Sequence, residues 1–137
     1  MHIHYITLGS NDIQQSKAFY DSALRPLGYT RLYDSDGMIG YGADAPLLYV
    51  MTPHNSSVAS HGNGTMIALT AISRAAVDAF HAAALSASGT DEGRPGIREG
   101  IGPNFYAAYV RDPDGNKLSA VCEKEDVSVS LSRGVPA

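Results

Sequence analysis

The chain has 137 residues, of which 44% are hydrophobic and 18% charged, with a formal net charge of −4 and a single cysteine. This composition is typical of a globular protein and excludes a disordered chain, and the length fits one domain over residues 1–137. No apolar run approaches the roughly 20 residues that cross a bilayer, and no basic cluster offers a nucleic-acid surface, so neither partner is expected. The lone Cys122 precludes an internal disulfide and favours a cytoplasmic location.

The first 53 residues predict a strand, a helix and three more strands. Met1–Ser10 alternates apolar and polar residues, as a half-buried strand does. Asp12 is a good N-cap for a helix with apolar residues at helical spacing, and Pro26 and Gly28 end that helix. The three strands predicted after it are Tyr29–Asp34, Met38–Ala43 and Pro46–Thr52. Residues 2–53 therefore form a predicted βαβββ module.

The same order of elements is predicted for residues 65–123, after a polar, Gly- and Ser-rich linker at residues 54–64. Its elements are a strand over Thr65–Ala71, a helix over Ser73–Ser88, a loop with weak strand character over Thr90–Gly100, and a hairpin of Phe105–Arg111 and Lys117–Glu123. Residues 124–137 form a polar tail, which is either an additional edge strand or a frayed end.

The two predicted modules also resemble each other residue by residue. With an offset of 61 positions, Tyr5–Tyr29 aligns with Met66–Thr90 without a gap and with seven identities in 25 positions. The N-cap Asp12 aligns with Ser73, a residue type that also caps helices. Strand, cap and helix end all coincide, which favours a duplicated module over two unrelated amphipathic helices.

A single βαβββ unit leaves one face and one edge of its sheet uncovered. Two units are therefore expected to combine into an α+β fold, a curved half-barrel of strands with the helices outside. The concave inner face of such a half-barrel is a trough, and we expect a small-molecule ligand there.

Two segments carry a resemblance to a known family. Thr7–Asp12 followed by Ala18-Phe19-Tyr20, and the closing Tyr109–Leu118 with its Asp-Pro-Asp-Gly-Asn turn, resemble the vicinal oxygen chelate superfamily of glyoxalases, bleomycin-resistance proteins and extradiol dioxygenases. The resemblance covers about residues 2–123. It implies a divalent metal in the trough, held by a His on the first strand of each half and a Glu on the last strand of the second. It also implies a homodimer.

This sequence departs from that pattern at every implied metal ligand. The first-strand positions hold Tyr5 and Met66, the last-strand position holds Ser119, and its first-half counterpart is Tyr49. Phenol, thioether and hydroxyl groups are poor ligands for divalent ions, which prefer imidazole and carboxylate. We therefore predict no metal and no other cofactor. A one-residue shift of the first strand would turn His4 into the trough, and this is the main route to a metal site.

The predicted trough is aromatic and apolar with a few hydroxyl groups. Its inward-facing residues are predicted to be Tyr5, Thr7, Tyr49, Met51, Met66, Ala68, Tyr106, Ala108, Ser119 and Val121. Such a set either fills a core or binds a flat, partly apolar molecule. Arg98, in the Gly-rich segment 96–102, is placed to cap the mouth of the trough and to attract an anionic group.

Three functions remain open on the sequence alone. The first is a metal-free protein that binds a small, partly aromatic organic molecule. The second is an enzyme, either a metal-dependent lyase or dioxygenase with unusual ligands such as His4, or a metal-free one with Tyr5 or Tyr49 as acid or base. The third is a degenerate copy that serves as a structural subunit.

Overall fold

The computed structural model of the chain describes residues 2–125, and its elements follow the order βαβββ twice. They are β1 (Ile6–Gly9), α1 (Ile13–Ala23), a 3₁₀ segment (Arg25–Leu27), β2 (Thr30–Ser35), β3 (Met38–Gly42), β4 (Pro46–Met51), β5 (Met66–Thr70), α2 (Arg74–Ser86), β6 (Thr90–Ile97), β7 (Tyr106–Arg111) and β8 (Lys117–Cys122). Both helices have their predicted N-caps, since the Asp12 side chain accepts from the Gln15 N–H and the Ser73 side chain from the Ala76 N–H.

The strands form two four-stranded sheets of the same topology. The first sheet has the order β1-β4-β3-β2 and the second the order β5-β8-β7-β6. The outer pairs β1/β4 and β5/β8 are parallel, and all other pairs are antiparallel. The predicted α+β fold with a duplicated βαβββ module is thus confirmed. Within residues 2–125 no strand pairing joins the two sheets, so they do not close into a barrel.

One hydrophobic core lies on the helix side of both sheets. Helices α1 and α2 pack against each other, and the buried residues of both halves form a single cluster. The aligned pair Phe19 and Phe80 is fully buried, as are Ala23 and Ala84. Identities in the repeat therefore lie mostly where packing leaves little choice of side chain.

A buried polar network holds the first half to the β7–β8 turn. The Asp112 carboxylate accepts hydrogen bonds from Tyr20 Oη at 2.5 Å, from Asn116 Nδ2 at 2.8 Å and from two backbone N–H groups of the turn. Asn116 Nδ2 also donates to the Gly9 carbonyl. Burial raises the pKa of Asp112, and the hydrogen bonds it accepts act against that rise. The Asp-Pro-Asp-Gly-Asn turn thus connects the two modules.

Two predicted element boundaries were wrong. The segment 90–100 was expected to be mainly loop, but Thr90–Ile97 is strand β6, which accommodates Gly93, Pro95 and Gly96 through register shifts at the sheet edge. The first strand was expected over residues 1–10, but its pairing with β4 covers only Ile6–Gly9. Most of the predicted tail, residues 126–137, lies outside the described residues, as does Met1.

Candidate functional site

Each sheet has one face against the helices and one that points away from them, which we call the open face. In β4, Leu48 and Val50 are fully buried in the core, so the alternating residues Tyr49 and Met51 belong to the open face. In β8, Leu118 and Ala120 are likewise in the core. Ser119 therefore lies on the open face of the second sheet.

The strand registers place one row of four residues across each open face at equivalent positions. In the first sheet the row is Thr7, Tyr49, Gly40 and Tyr33. In the second sheet it is Ala68, Ser119, Tyr109 and Gly93. The last three positions alternate large, small, large in the first sheet and small, large, small in the second. The two open faces thus have opposite patterns of large and small side chains on the same backbone arrangement.

Three tyrosines form a connected aromatic cluster on the open face of the first sheet. The ring centroid of Tyr49 lies 5.3 Å from that of Tyr5 and 6.1 Å from that of Tyr33, both in edge-on geometry. A Cβ at Gly40 would lie 2.7 Å from Cε1 of Tyr49, so the glycine makes room for that ring. Tyr5 is 51% exposed and Tyr33 is 43% exposed. The structure therefore brings the candidates Tyr5 and Tyr49 together.

A cleft continues this open face at the ends of β1 and β4. It has a volume of about 410 Å³ and is lined by Thr7, Gly9, Met51 and Pro53, together with residues 54, 55 and 58–60 of the linker. The second half has a cleft of about 330 Å³ at the corresponding strand ends, where Thr70 and Val121 lie with Glu123. Of the predicted ligand-binding residues, Thr7 and Met51 thus line a real depression.

The open face of the second sheet carries a tyrosine with two cations near its ring. The Tyr109 ring lies over Gly93, where a Cβ would be 2.8 Å from the ring atom Cδ2. Arg98 Cζ is 5.2 Å from the centroid of that ring, and Lys117 Nζ is 5.6 Å from it. Met66, at the start of β5, is 40% exposed. Among residues 2–125, no ring contact joins Tyr109 to the tyrosines of the first open face.

Two residues predicted to face the trough lie on the other side of their strand. Tyr106 packs against the core and donates a hydrogen bond to Asp78 of helix α2, and burial raises its pKa to about 12. Ala108 is fully buried in the core. The open-face residues of β7 are Ala107 and Tyr109 instead. Tyr106 and Tyr109 are three residues apart in this strand and therefore lie on opposite faces. The prediction that Tyr106 faces the trough was wrong, and Tyr109 lies on the open face instead.

Three open-face residues with aromatic or charged side chains, Tyr33, Tyr109 and Lys117, were not predicted to line the trough. Tyr33 was assigned to a strand but not to the trough, because the register shift between Arg31 and Tyr33 breaks the simple alternation of β2. Tyr109 and Lys117 were assigned to the hairpin strands and to the family motif but not to the trough. Arg98 does not extend outward from a loop as expected, since its side chain lies back along its own strand and binds the carbonyls of Gly96 and Arg94.

The residues at the implied metal positions do not fit a divalent ion. Tyr5, Tyr49, Met66 and Ser119 offer no imidazole or carboxylate, and residues 2–125 contain no group of three His, Cys, Asp or Glu side chains that could hold a metal. The ring of His4 packs edge-on against Tyr5 at 5.4 Å. The charges on the second open face also disfavour a metal ion, because Arg98 and Lys117 repel a cation there.

Comparison with known proteins now identifies the family. The family model of the Glyoxalase/Bleomycin resistance protein/Dioxygenase superfamily matches residues 2–119. The chain belongs to this superfamily. No helix in the described part of the chain has the length and apolarity to cross a membrane.

Solved structures of glyoxalase-like proteins are similar to this superfamily member. A glyoxalase/bleomycin resistance protein from Albidiferax ferrireducens T118 is 39% identical, with a TM-score of 0.78 over 85% of this chain and 94% of that one. A glyoxalase-related enzyme from Fulvimarina pelagi is 20% identical, with a TM-score of 0.70 over 88% and 87% of the two chains. Lactoylglutathione lyase from Agrobacterium tumefaciens is 21% identical, with a TM-score of 0.61 over 88% and 92%. The last two show the fold alone. The comparison with curated proteins gives no match.

Proposed function

We propose that this superfamily member binds a small, partly aromatic organic molecule on the open face of its first sheet, without a metal ion. The observation that carries the proposal is the cluster of Tyr5, Tyr33 and Tyr49, whose rings are in contact while two of them are 51% and 43% exposed. Aromatic side chains contribute most when they are buried, and a contiguous exposed aromatic surface is typical of a binding site.

The same surface offers polar groups that would orient a ligand. Within residues 2–125 the hydroxyls of Tyr5, Tyr33, Tyr49 and Thr7 accept or donate no hydrogen bond, so all four are available to a bound molecule. The adjoining cleft at Met51 gives the ligand depth beyond the rings. Tyr5 and Tyr49 are also the two candidate catalytic residues, because they occupy the positions of implied metal ligands and their ring centroids are 5.3 Å apart.

A titration with 2-naphthamide tests the binding site. The protein contains no tryptophan, so naphthyl fluorescence can be followed without interference. Each of Tyr5→Ser and Tyr33→Ser is expected to weaken binding about threefold to tenfold, since each removes one ring contact. The control is Ile72→Ser, which removes a side chain that is 73% exposed in the loop before α2. Equal losses in all three variants, or no binding by the unaltered protein, would refute the site.

Elemental analysis of protein purified without chelator tests the metal-free part separately. We expect well under one equivalent of any transition metal, because the donor set of Tyr5, Met66 and Ser119 is unsuited to it. A metal at close to one equivalent that is lost in the variant His4→Gln would instead support the metal-dependent lyase or dioxygenase.

We also propose that the protein is a cytoplasmic homodimer. Strand β2 is exposed along its whole length and forms a free edge of the first sheet, which is a common surface for self-association. The buried, unpaired thiol of Cys122 agrees with a reducing compartment. Sedimentation at micromolar concentration is expected to give twice the chain mass of 14.5 kDa. A single-chain mass would contradict the dimer.

A further inference from the structure

We propose that the open face of the second sheet binds an oxyanion, a carboxylate or a phosphate group, between Arg98, Lys117 and Ser119 beside the Tyr109 ring. The proposal rests on the proposed function, because the oxyanion is taken to be part of the ligand of the same protein. It replaces the cation implied by the superfamily with a group of opposite charge.

Arg98 is fixed in position before any ligand arrives. Its Nη1 donates to the Gly96 carbonyl at 2.9 Å and its Nη2 to the Arg94 carbonyl at 2.6 Å. A guanidinium group has five N–H donors, so three remain for a ligand. The two glycines nearby make room for this conformation, since a Cβ at Gly93 or Gly96 would lie 3.3 or 3.2 Å from the guanidinium nitrogens. The group therefore lies flat along β6, with donors left in its plane.

Among residues 2–125, neither Arg98 nor Lys117 forms a direct ion pair with a carboxylate, and the two partners of Arg98 are neutral carbonyls. The carboxylate of Glu92 interacts with Lys117 at longer range. Arg111, the next cation on this face, is paired with Glu92 at 2.7 Å. In the described part of the chain, Arg98, Lys117 and Arg111 are three cations on this face against the single carboxylate of Glu92, which leaves a net positive charge beside the Tyr109 ring. A charge-assisted hydrogen bond to an anion is about twice as strong as a neutral one.

Ser119 is the independent observation that points to a ligand. It is fully buried, yet its Oγ has no hydrogen-bond partner among the described residues. It lies directly across from Tyr109 and two residues from Lys117 on the same open face. Buried side-chain hydroxyls in native proteins almost always have a partner. An oxyanion oxygen at this place would accept its hydrogen bond.

The test compares three ligands of nearly identical shape and different charge at constant ionic strength. 2-Naphthoate carries a carboxylate, 2-naphthyl phosphate carries a phosphate, and 2-naphthamide is neutral. We expect at least one of the two anions to bind the unaltered protein at least tenfold more tightly than the amide, and the tighter of the two identifies the class of oxyanion. Equal binding of the three probes would overturn the proposal, and so would no binding at all.

Variants then locate the anion. Arg98→Gln and Lys117→Gln are each expected to weaken binding of the preferred anion about tenfold while changing 2-naphthamide binding less than twofold. The control is Arg94→Gln, which removes an exposed charge from the same strand and keeps the carbonyl that Arg98 binds. Equal losses in all three variants would show a general effect of net charge and overturn the site.

The outcomes separate this proposal from the one it rests on. Binding of 2-naphthamide that depends on Tyr5 and Tyr33, without a preference for anions, would leave the aromatic site standing and remove the oxyanion site. Failure of all three probes would remove both. Ser119→Ala should weaken binding of the anion at least twofold with no loss of fold, and an unchanged affinity would overturn the assignment of Ser119 as a ligand.

Discussion

The two halves of the molecule share their buried side and differ on their open side. Ile6 and Leu8 of β1 have identical counterparts in Ile67 and Leu69 of β5, and these residues face the helices. The residues between them differ, with Thr7 replaced by Ala68. The core fixes the side chains that fill it, whereas the open face has no such constraint.

The difference extends to the chemistry of the two open faces. In the part of the chain that the structure describes, the first sheet has three tyrosines in contact, none with a cation over its ring, and the second has one tyrosine beside two cations. In each sheet a glycine on a neighbouring strand makes room for the ring, Gly40 under Tyr49 and Gly93 under Tyr109. A duplicated module has thus produced two unlike surfaces, and a ligand that uses both must be partly aromatic and partly anionic.

The largest effect is expected from Asp112, which connects the β7–β8 turn of the second half to helix α1 of the first. Asp112 Oδ2 accepts from Tyr20 Oη and Asn116 Nδ2, and Asp112 Oδ1 accepts from two backbone N–H groups. Asp112→Asn replaces one of these oxygens with an NH₂ group, so at least one buried donor loses its partner. We expect the free energy of unfolding in urea to fall by about 3 kcal/mol. The matched control is Asp36→Asn in the exposed β2–β3 turn, with a change within about 0.5 kcal/mol. A loss below about 1 kcal/mol for Asp112→Asn would contradict this connection between the halves.

The two glycines test whether the open faces tolerate change equally. Gly40→Ala places a Cβ 2.7 Å from the Tyr49 ring in an interior strand, and we expect a loss of about 1 to 3 kcal/mol in the free energy of unfolding. Gly93→Ala meets Tyr109 in the edge strand β6, where the ring and the strand can move outward, and should cost less. Urea unfolding of both variants measures the difference in stability loss. In a Tyr49→Val background, where the ring is absent, Gly40→Ala should lose much less stability. Equal losses, or no rescue, would argue against this account.

A smaller, pH-dependent effect distinguishes the two helices. On α1, Tyr20 donates a hydrogen bond to Asp112. The residue aligned with it on α2 is His81, and its Nε2 lies 2.9 Å from Asp91 Oδ1. The hydrogen bond with His81 lowers the pKa of Asp91, so the folded state binds this proton less readily than the unfolded state. The stabilisation is present above about pH 4 and is lost as the pH falls through the lowered value.

Asp91→Asn should therefore reduce the loss of stability on acidification. The measurement is the urea midpoint between about pH 5 and pH 3, compared with the unaltered protein and with Asp36→Asn as a control. An identical acid dependence in all three proteins would show that the contact with His81 does not stabilise the fold.

The sequence was sufficient to predict most helices and strands and the duplication of the module, because the signals that determine them are local. The caps Asp12 and Ser73 and the periodic apolar residues determine the helices whatever surrounds them. It was insufficient where a strand's structure depends on its partner. Strand β6 contains Gly93 and Gly96, residues that disfavour strands, and it exists because β7 pairs with it.

The same reasoning explains which site residues were found. Tyr5, Thr7, Tyr49 and Met51 follow from simple alternation in β1 and β4, which keep one register along their pairing. Tyr33 follows a register shift, and the phase of β7 rests on long-range pairing with β8, so Tyr33 was missed and Tyr106 was assigned in place of Tyr109. The conformation of Arg98 depends on hydrogen bonds to two backbone carbonyls of its own segment, and no pattern of residues in the sequence predicts them.

The smallest effect is expected from a buried serine that lacks a partner. Ser119 Oγ forms no hydrogen bond within the described residues, so Ser119→Ala should change the free energy of unfolding by less than about 0.5 kcal/mol, or raise it. The matched comparison is Ser16→Ala, because Ser16 is equally buried and its Oγ lies 2.6 Å from Ser10 Oγ and 3.3 Å from Asp114 Oδ2. That variant should lose about 1 to 2 kcal/mol in urea unfolding. A similar loss for Ser119→Ala in ligand-free protein would mean that its hydroxyl is already satisfied, and the argument that it awaits an oxyanion would fall.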